Sequence, residues 1–551
     1  MEEFSVLIGG RAGEGINRAS AVLNRMMARL GRSVYMYYDY PSLIRGGHNY
    51  AIVRSADHAV WTHRDRVDMV LALDRETVKR HHGRLNPGGV LLYDSSTVKE
   101  AEGVPVPLDE VLAAGSAPPI TRNSGMIGAF CRVAGIPWSL VEEVFMREFD
   151  RHAEVNLRVA RRAFDAVETQ FRISRGDREP LPVLTGNEAI ALGLVRGGLD
   201  TYIAYPMTPT SSILHFLADF AERTNLSVVH PESEIAVILM ALGAAYAGSR
   251  CAVGTSGGGF CLMTEGLSLA GMAEVPVVIV LGQRPGPSTG LPTYSCQTEL
   301  LFARHAGQGE FPRLIVAPMD AGEAYRWSAR ALDFAWRFQV PAILLVDKTL
   351  CEGGYSTAID PEIEVGAPDA GTSTPPDEPY LRYRLTPTGV SPMWTVPAKG
   401  AVIKVNSYEH DESGTTTEDA LVSASMQAKR REKARTLQRA LDGFEPVAVS
   451  GPDDSHVGVV TWGSTGGAVL EATDGLPLRV IRPVVLEPFP VEAFRAAVEG
   501  LDRIIVVEQN WTGQLEQLLR VNGFEIDTRV QQYDGRPFTV EDLASRLAEV
   551  V

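Results

Sequence analysis

Residues 201–220, TYIAYPMTPTSSILHFLADF, decide the reading of this chain. An apolar, β-prone run ends at Tyr205. A turn follows with two prolines around Thr208, then Thr210, Ser211 and Ser212, and a helical pattern begins. The prolines remove backbone freedom, so the hydroxyls are held in place before anything binds. The first N–H groups of a helix have no partner within it and favour an anion. Strand, turn and helix in that order form the unit of a parallel α/β sheet, whose ligands bind beyond the carboxyl ends of its strands.

The same unit recurs on both sides. Apolar runs SVVH (227–230), CAVGTS (251–256), PVVIVLG (276–282), RLIVAP (313–318) and PAILLVD (341–347) alternate with helical patterns such as SEIAVILMALGAAYAG (233–248) and AGEAYRWSARALDFAWRF (321–338). They predict a doubly wound parallel sheet over 183–360. Residues 1–175 form another α/β block, with strands at FSVLIGG, SVYMYYDY, NYAIVRSA, MVLALD and GVLLYD and an amphipathic helix at GINRASAVLNRMMARLG. RISRGDREPLP (172–182) reads as a linker. Residues 361–450 read as a connector with an exposed, charged helix in TEDALVSASMQAKRREKARTLQRAL, and 456–551 as a smaller α/β domain. Three α/β domains in 551 residues suit the chain's length.

Net charge is −16, from 52 basic and 68 acidic residues, with no long basic run to offset it and attract nucleic acid. The opening MEEFSVLIGG enters a strand without the pattern of a signal peptide, and no uncharged apolar segment reaches about 18 residues. A cytoplasmic protein with no membrane partner is expected. The five cysteines (131, 251, 261, 296 and 351) contain no C-x-x-C, so they read as reduced structural thiols rather than zinc or iron–sulfur ligands.

Four strand-to-helix turns of the central block are unusual: YPMTPTSS with Thr208; HPESE with Glu232 and Glu234; TSGGGFCLMTEG with Thr255, Ser256 and Gly257; and GQRPGPSTGLPT with Arg284, Ser288, Thr289 and Thr293. Singly, each has a structural explanation in a helix cap, a dipole-matched carboxylate or a tight glycine turn. Together, at one edge of one sheet, they describe a pocket for a small anion with an acid–base group. At the N-terminus, GGRAGEG (9–15) opens a helix after a strand, but its spacing departs from G-x-G-x-x-G. An anion-accepting turn stays open there, with PSLIRGGHNY adding Arg45.

These segments resemble the 2-oxoacid:ferredoxin oxidoreductases, in the form of an α subunit with a γ domain fused at its N-terminus. YPMTPTSS is similar to the family's Y-P-I-T-P-S-[ST], with Met207 for isoleucine; QRPGPSTGLPT is similar to Q-R-G-G-P-S-T-G-L-P-T, with Pro285 for a glycine; TSGGG follows T-S-G-P-G, with Gly258 for proline. GEFPRLIVAP, IGGRAGEG and PSLIRGG also match, so the resemblance covers nearly the whole chain. It implies that the central block binds the pyrimidine of thiamine diphosphate, with Glu234 bonded to the aminopyrimidine ring and Thr255, Ser256 and Gly257 alongside. Thr208, Arg284, Thr289 and Thr293 would meet the substrate. Gly13, Gly15 and Arg45 would face coenzyme A from the γ domain.

No G-D-G followed by a downstream asparagine occurs, and no cysteine cluster. The resemblance therefore implies a β subunit carrying the diphosphate–magnesium site and an iron–sulfur cluster, with ferredoxin as acceptor and an (αβ)2 assembly. The fusion and GEFPR look most like the 2-oxoglutarate enzymes, running as oxidative decarboxylation or as reductive CO2 fixation. Pyruvate and indolepyruvate members share these turns. A transketolase-like carbon–carbon transferase and a non-catalytic scaffold subunit are the competing classes.

Overall fold

The computed structural model describes residues 3–42, 46–149, 152–363, 365, 380–398 and 401–551. Its chain contacts divide it into two compact units.

The first unit comprises 1–185, 352–359 and 538–549. Its eight-stranded sheet runs Val104–Val106, Leu85–Asp94, Val67–Ala72, Glu3–Arg11, His48–Ala56, Ser33–Asp39, Gly354–Ser356 and Val183–Thr185. The pairings from Val104–Val106 to Glu3–Arg11 are parallel and those from Glu3–Arg11 onward antiparallel. The helix Ile16–Arg29 buries Ile16, Ala19, Val22, Leu23, Met26 and Met27 on one stripe, the 3.6-residue pattern visible in its sequence. The segments 183–185 and 354–356, read from sequence as the ends of the central block, pair into this sheet. Strands of three residues carry too little alternation to reveal their partner.

The second unit holds the central sheet, in the order Val485–Glu487, Leu314–Val316, Pro341–Asp347, Val277–Gln283, Cys251–Ser256, Thr201–Ala204 and Ser227–Val229. Every pairing is parallel except that of Val485–Glu487. The middle strands Cys251–Ser256, Val277–Gln283 and Pro341–Asp347 are buried at every residue, because helices cover both faces; such strands read as continuous apolar runs. A five-stranded sheet, Val447–Ser450, Leu478–Pro483, Val457–Val460, Arg503–Glu508 and Thr528–Gln531, completes the unit.

The helix Ala420–Leu441 corrects the expectation of an exposed connector. Met426, Lys429, Arg430, Lys433, Leu437 and Leu441 lie buried along one stripe. Both oxygens of buried Glu274 accept from Lys429 at 2.7 Å, and Lys433 also donates to this carboxylate. Cations stand where a core helix normally carries leucines, so counting charges made a buried face look solvated.

Candidate active site

The central turns meet at the carboxyl edge of the seven-stranded sheet. Strand Thr201–Ala204 delivers the turn 205–210, and helix Ser211–Thr224 starts behind it. Thr210 is at the helix N-cap position, yet its hydroxyl bonds to the carbonyls of Met207 (3.2 Å) and Thr255 (3.3 Å) rather than to the helix. It ties the first turn to the third. Asn187 holds the other side, donating to the Pro209 carbonyl at 2.7 Å and to the Ser212 hydroxyl at 2.6 Å.

Arg284 follows strand Val277–Gln283 and donates to the Thr208 carbonyl at 3.1 Å. Its loop is shaped by Gly290, whose φ of 54° and whose backbone leave no room for a side chain: a Cβ would lie 1.8 Å from the Pro285 carbonyl oxygen. The loop's end is pinned by Ser295 N–H donating to the Gly535 carbonyl at 3.0 Å, with the Arg536 guanidinium 3.7 Å above the Tyr294 ring.

Glu234 opens the helix Glu234–Tyr246, but Ser233 is the residue whose hydroxyl caps it. The glutamate is therefore not needed as the cap. Its carboxylate is buried and makes no hydrogen bond or ion pair among the described residues, whereas Glu232 is exposed. A Cβ at Gly259 would lie 2.7 Å from Glu234 Oε1 and 2.2 Å from Thr255 Oγ1. Gly259 and Thr255 thus make a cradle with one free carboxylate, which fits an aminopyrimidine. Thr255 and Ser256 are fully buried and direct their hydroxyls to the Met207 sulfur at 3.8 and 3.5 Å.

The structure brings Thr208, Arg284, Glu234, Thr255, Ser256 and Gly257 onto one sheet edge. Thr293 is buried, its hydroxyl without a partner among the described residues, whereas Thr289 is exposed. In the first unit, Gly15 caps helix Ile16–Arg29 at φ 76°, Gly13 (φ 92°) is exposed, and Arg45 lies outside the described residues.

Sequence reading missed Glu299. It is buried, its backbone N–H donates to Gln283 Oε1 at 3.1 Å, and a Cβ at Gly257 would meet its Oε1 at 2.7 Å. Burial pushes its carboxyl up to about 7, against the opposing pull of Thr298 and Arg284. Burial likewise lowers the Arg284 guanidinium, and Glu299 partly offsets that. A glutamate just before the short helix Leu300–His305 looks in sequence like an ordinary helix-end residue.

Residues 192–430 match the family described as "Pyruvate flavodoxin/ferredoxin oxidoreductase, thiamine diP-bdg", and 5–166 match "Pyruvate ferredoxin/flavodoxin oxidoreductase". The chain is 31% identical to the α subunit of 2-oxoacid:ferredoxin oxidoreductase 2 of Aeropyrum pernix, covering 100% of this chain and 98% of that one. The chain belongs to the 2-oxoacid:ferredoxin oxidoreductase α-subunit family. A second relative in that family is the 2-oxoglutarate oxidoreductase subunit KorA of Mycobacterium tuberculosis, 26% identical over 100% of this chain and 93% of its own. Among solved structures, the 2-oxoglutarate:ferredoxin oxidoreductase of Magnetococcus marinus, with 2-oxoglutarate, coenzyme A and succinyl-CoA bound, matches at a TM-score of 0.89. It is 29% identical and covers 100% of this chain and 99% of that one. As a member of this oxidoreductase family, the chain is one subunit of an enzyme. Among the described residues, no helix is long and apolar enough to cross a membrane.

Proposed function

We propose that this chain is the α subunit of a thiamine-diphosphate-dependent 2-oxoglutarate:ferredoxin oxidoreductase, active only with a β subunit. The observation that carries the reading is Glu234, a buried carboxylate without a partner among the described residues, in a cradle that a single Cβ at 259 would fill. Thiamine diphosphate, when bound, supplies a nucleophilic carbon and a sink for the electrons of decarboxylation. Glu234 holds a proton against the pyrimidine nitrogen, Thr255, Ser256 and Gly257 flank that ring, and Arg284 pairs with the substrate carboxylate through a planar fork. The Thr208 turn, fixed by Arg284 and Thr210, orients the keto group.

The apolar helix Glu234–Tyr246 supports the need for a partner. Ile235, Leu239 and Met240 are exposed on it, as is Leu262 on the neighbouring helix Gly257–Ala273. A helix apolar on all sides is normally covered, and this face begins at Glu234. We assign it to the β subunit, which would bring the diphosphate–magnesium half-site and the iron–sulfur cluster. Four of the five cysteines here are buried, and only Cys261 is exposed. In this reading 1–175 is the γ domain on the coenzyme A side, 183–360 the pyrimidine domain apart from the two short strands that pair into the first sheet, 361–450 the connector and 456–551 the C-terminal domain.

The choice of 2-oxoglutarate rests on the Magnetococcus marinus and Mycobacterium tuberculosis likenesses. The test is viologen and ferredoxin reduction by the co-expressed complex across a panel of 2-oxoacids with coenzyme A. Faster reduction with 2-oxoglutarate than with pyruvate or indolepyruvate is expected. A preference for pyruvate overturns the substrate, and transfer between sugars without acceptor reduction overturns the class.

A further inference from the structure

Glu299 has a place in this pocket that its sequence context does not suggest. Its Oε1 accepts from the Thr298 hydroxyl at 3.0 Å, and its Oε2 has no partner among the described residues although only 9% of the residue is exposed. The bare Gly257 lets this carboxyl rest against the start of helix Gly257–Ala273. The Glu299 backbone N–H is tied at 3.1 Å to Gln283, the residue before Arg284; the buried Arg284 Nε is also without a partner, and no ion pair joins Glu299 and Arg284 among the described residues. A carboxyl and a guanidinium, held on segments joined through Gln283, therefore each keep a buried polar atom unused and are not paired with one another.

The other ionisable groups around Glu299 are accounted for. Glu234, on its own helix Glu234–Tyr246, faces Gly259 of the helix that Gly257 opens. On its own segment the Cys296 thiol is raised by burial and by Glu299 itself. Arg304, on the helix that follows, is engaged by Glu487 at 2.6 Å. Asp347, buried behind this segment, takes hydrogen bonds from Ser464 at 2.6 Å and Ser295 at 3.3 Å. Among the described residues, Arg284 is the cation that bears on Glu299.

We propose that Glu299 is a positioning residue that controls the oxoacid's access to Arg284: protonated, it leaves the guanidinium to the substrate carboxylate, and ionised, it competes for that guanidinium and repels the anion. The proposal rests on Arg284 being the substrate's partner. Ionisation with a midpoint of about 7 makes the binding-competent fraction fall as pH rises. Apparent Kd scales inversely with that fraction, so it should rise about tenfold between pH 6 and pH 8.

The experiment is calorimetric titration of the αβ complex, freed of thiamine diphosphate, with 2-oxoglutarate and pyruvate in parallel. The wild type should show the tenfold rise for the oxoacid that it turns over, and Glu299→Gln should change less than about twofold over the same range. Thr298→Val removes the nearest donor to the carboxylate and should move the midpoint to higher pH. A flat wild-type Kd, or a Glu299→Gln variant that keeps the full rise, overturns the proposal. Arg284→Lys separates the two ideas: an unchanged Kd in that variant overturns the reading of Arg284. A weakened Kd alongside a pH-flat wild type overturns only the role of Glu299.

Discussion

The guanidinium of Arg284 donates to the main-chain carbonyl of Thr208 at 3.1 Å, so two turns separated by 75 intervening residues form one corner. Arg284→Lys keeps a positive charge but loses the planar fork. A charge-assisted bond contributes about 1.5–3 kcal/mol, so the KM for the oxoacid should rise roughly tenfold to a hundredfold. The KM for coenzyme A should stay put, as steady-state kinetics with each substrate varied in turn will show.

Glu234→Gln should leave co-purification with the partner intact, because Ser233 rather than Glu234 caps the helix. The amide cannot share a proton with the pyrimidine, and turnover should fall about 10²–10⁴-fold. A variant retaining more than roughly a tenth of the wild-type rate would show that the proton is held elsewhere.

Gly259→Ala places a methyl 2.2 Å from Thr255 Oγ1 and 2.7 Å from Glu234 Oε1. It should cost about 1–3 kcal/mol of stability through overpacking and weaken thiamine diphosphate binding in the complex. Gly258→Ala is the control, since its nearest neighbour is the Ser288 carbonyl at 3.8 Å. Fluorescence titration with the cofactor and thermal melts of both variants distinguish them.

The chain purified alone should hold neither thiamine diphosphate through gel filtration nor iron. The cradle around Glu234 is one half of a site, and the thiols are scattered and mostly buried. Near-stoichiometric iron on the isolated chain would contradict this.

Glu274→Gln should destabilise the second unit by about 3–5 kcal/mol at pH 7, the usual result of leaving buried cations without their counter-charge. Burial alone would raise the Glu274 carboxyl, but Lys433, Lys429 and Arg382 outweigh it and hold it well below the usual carboxylate range. A carboxylate depressed in the folded state stabilises above its unfolded value and loses that stabilisation as pH falls. The gap between wild type and variant in urea melts should therefore narrow progressively below about pH 4.5.

The central sheet was legible because its middle strands are buried on both faces and carry little but apolar residues; all six runs read from sequence are strands in it. The turns were legible because their motifs are long. Glu299 was not, because its significance lies in what Gly257 lacks, a relation between residues 42 positions apart. The face of helix Ala420–Leu441 was misread for a related reason. Lys429 and Lys433 belong inside only because Glu274, a residue in the left-handed region just beyond helix Gly257–Ala273, waits for them.

The strand Val485–Glu487 lies antiparallel against Leu314–Val316 at the border of the central sheet. A gene truncated before this strand would leave the backbone of Leu314–Val316 unpaired along an apolar margin, the situation that invites other chains to add on. The segment 456–551 thus covers a margin of the central sheet as well as adjoining it. Attempts to express the central region by itself should carry residues through 487, or replace the strand they remove.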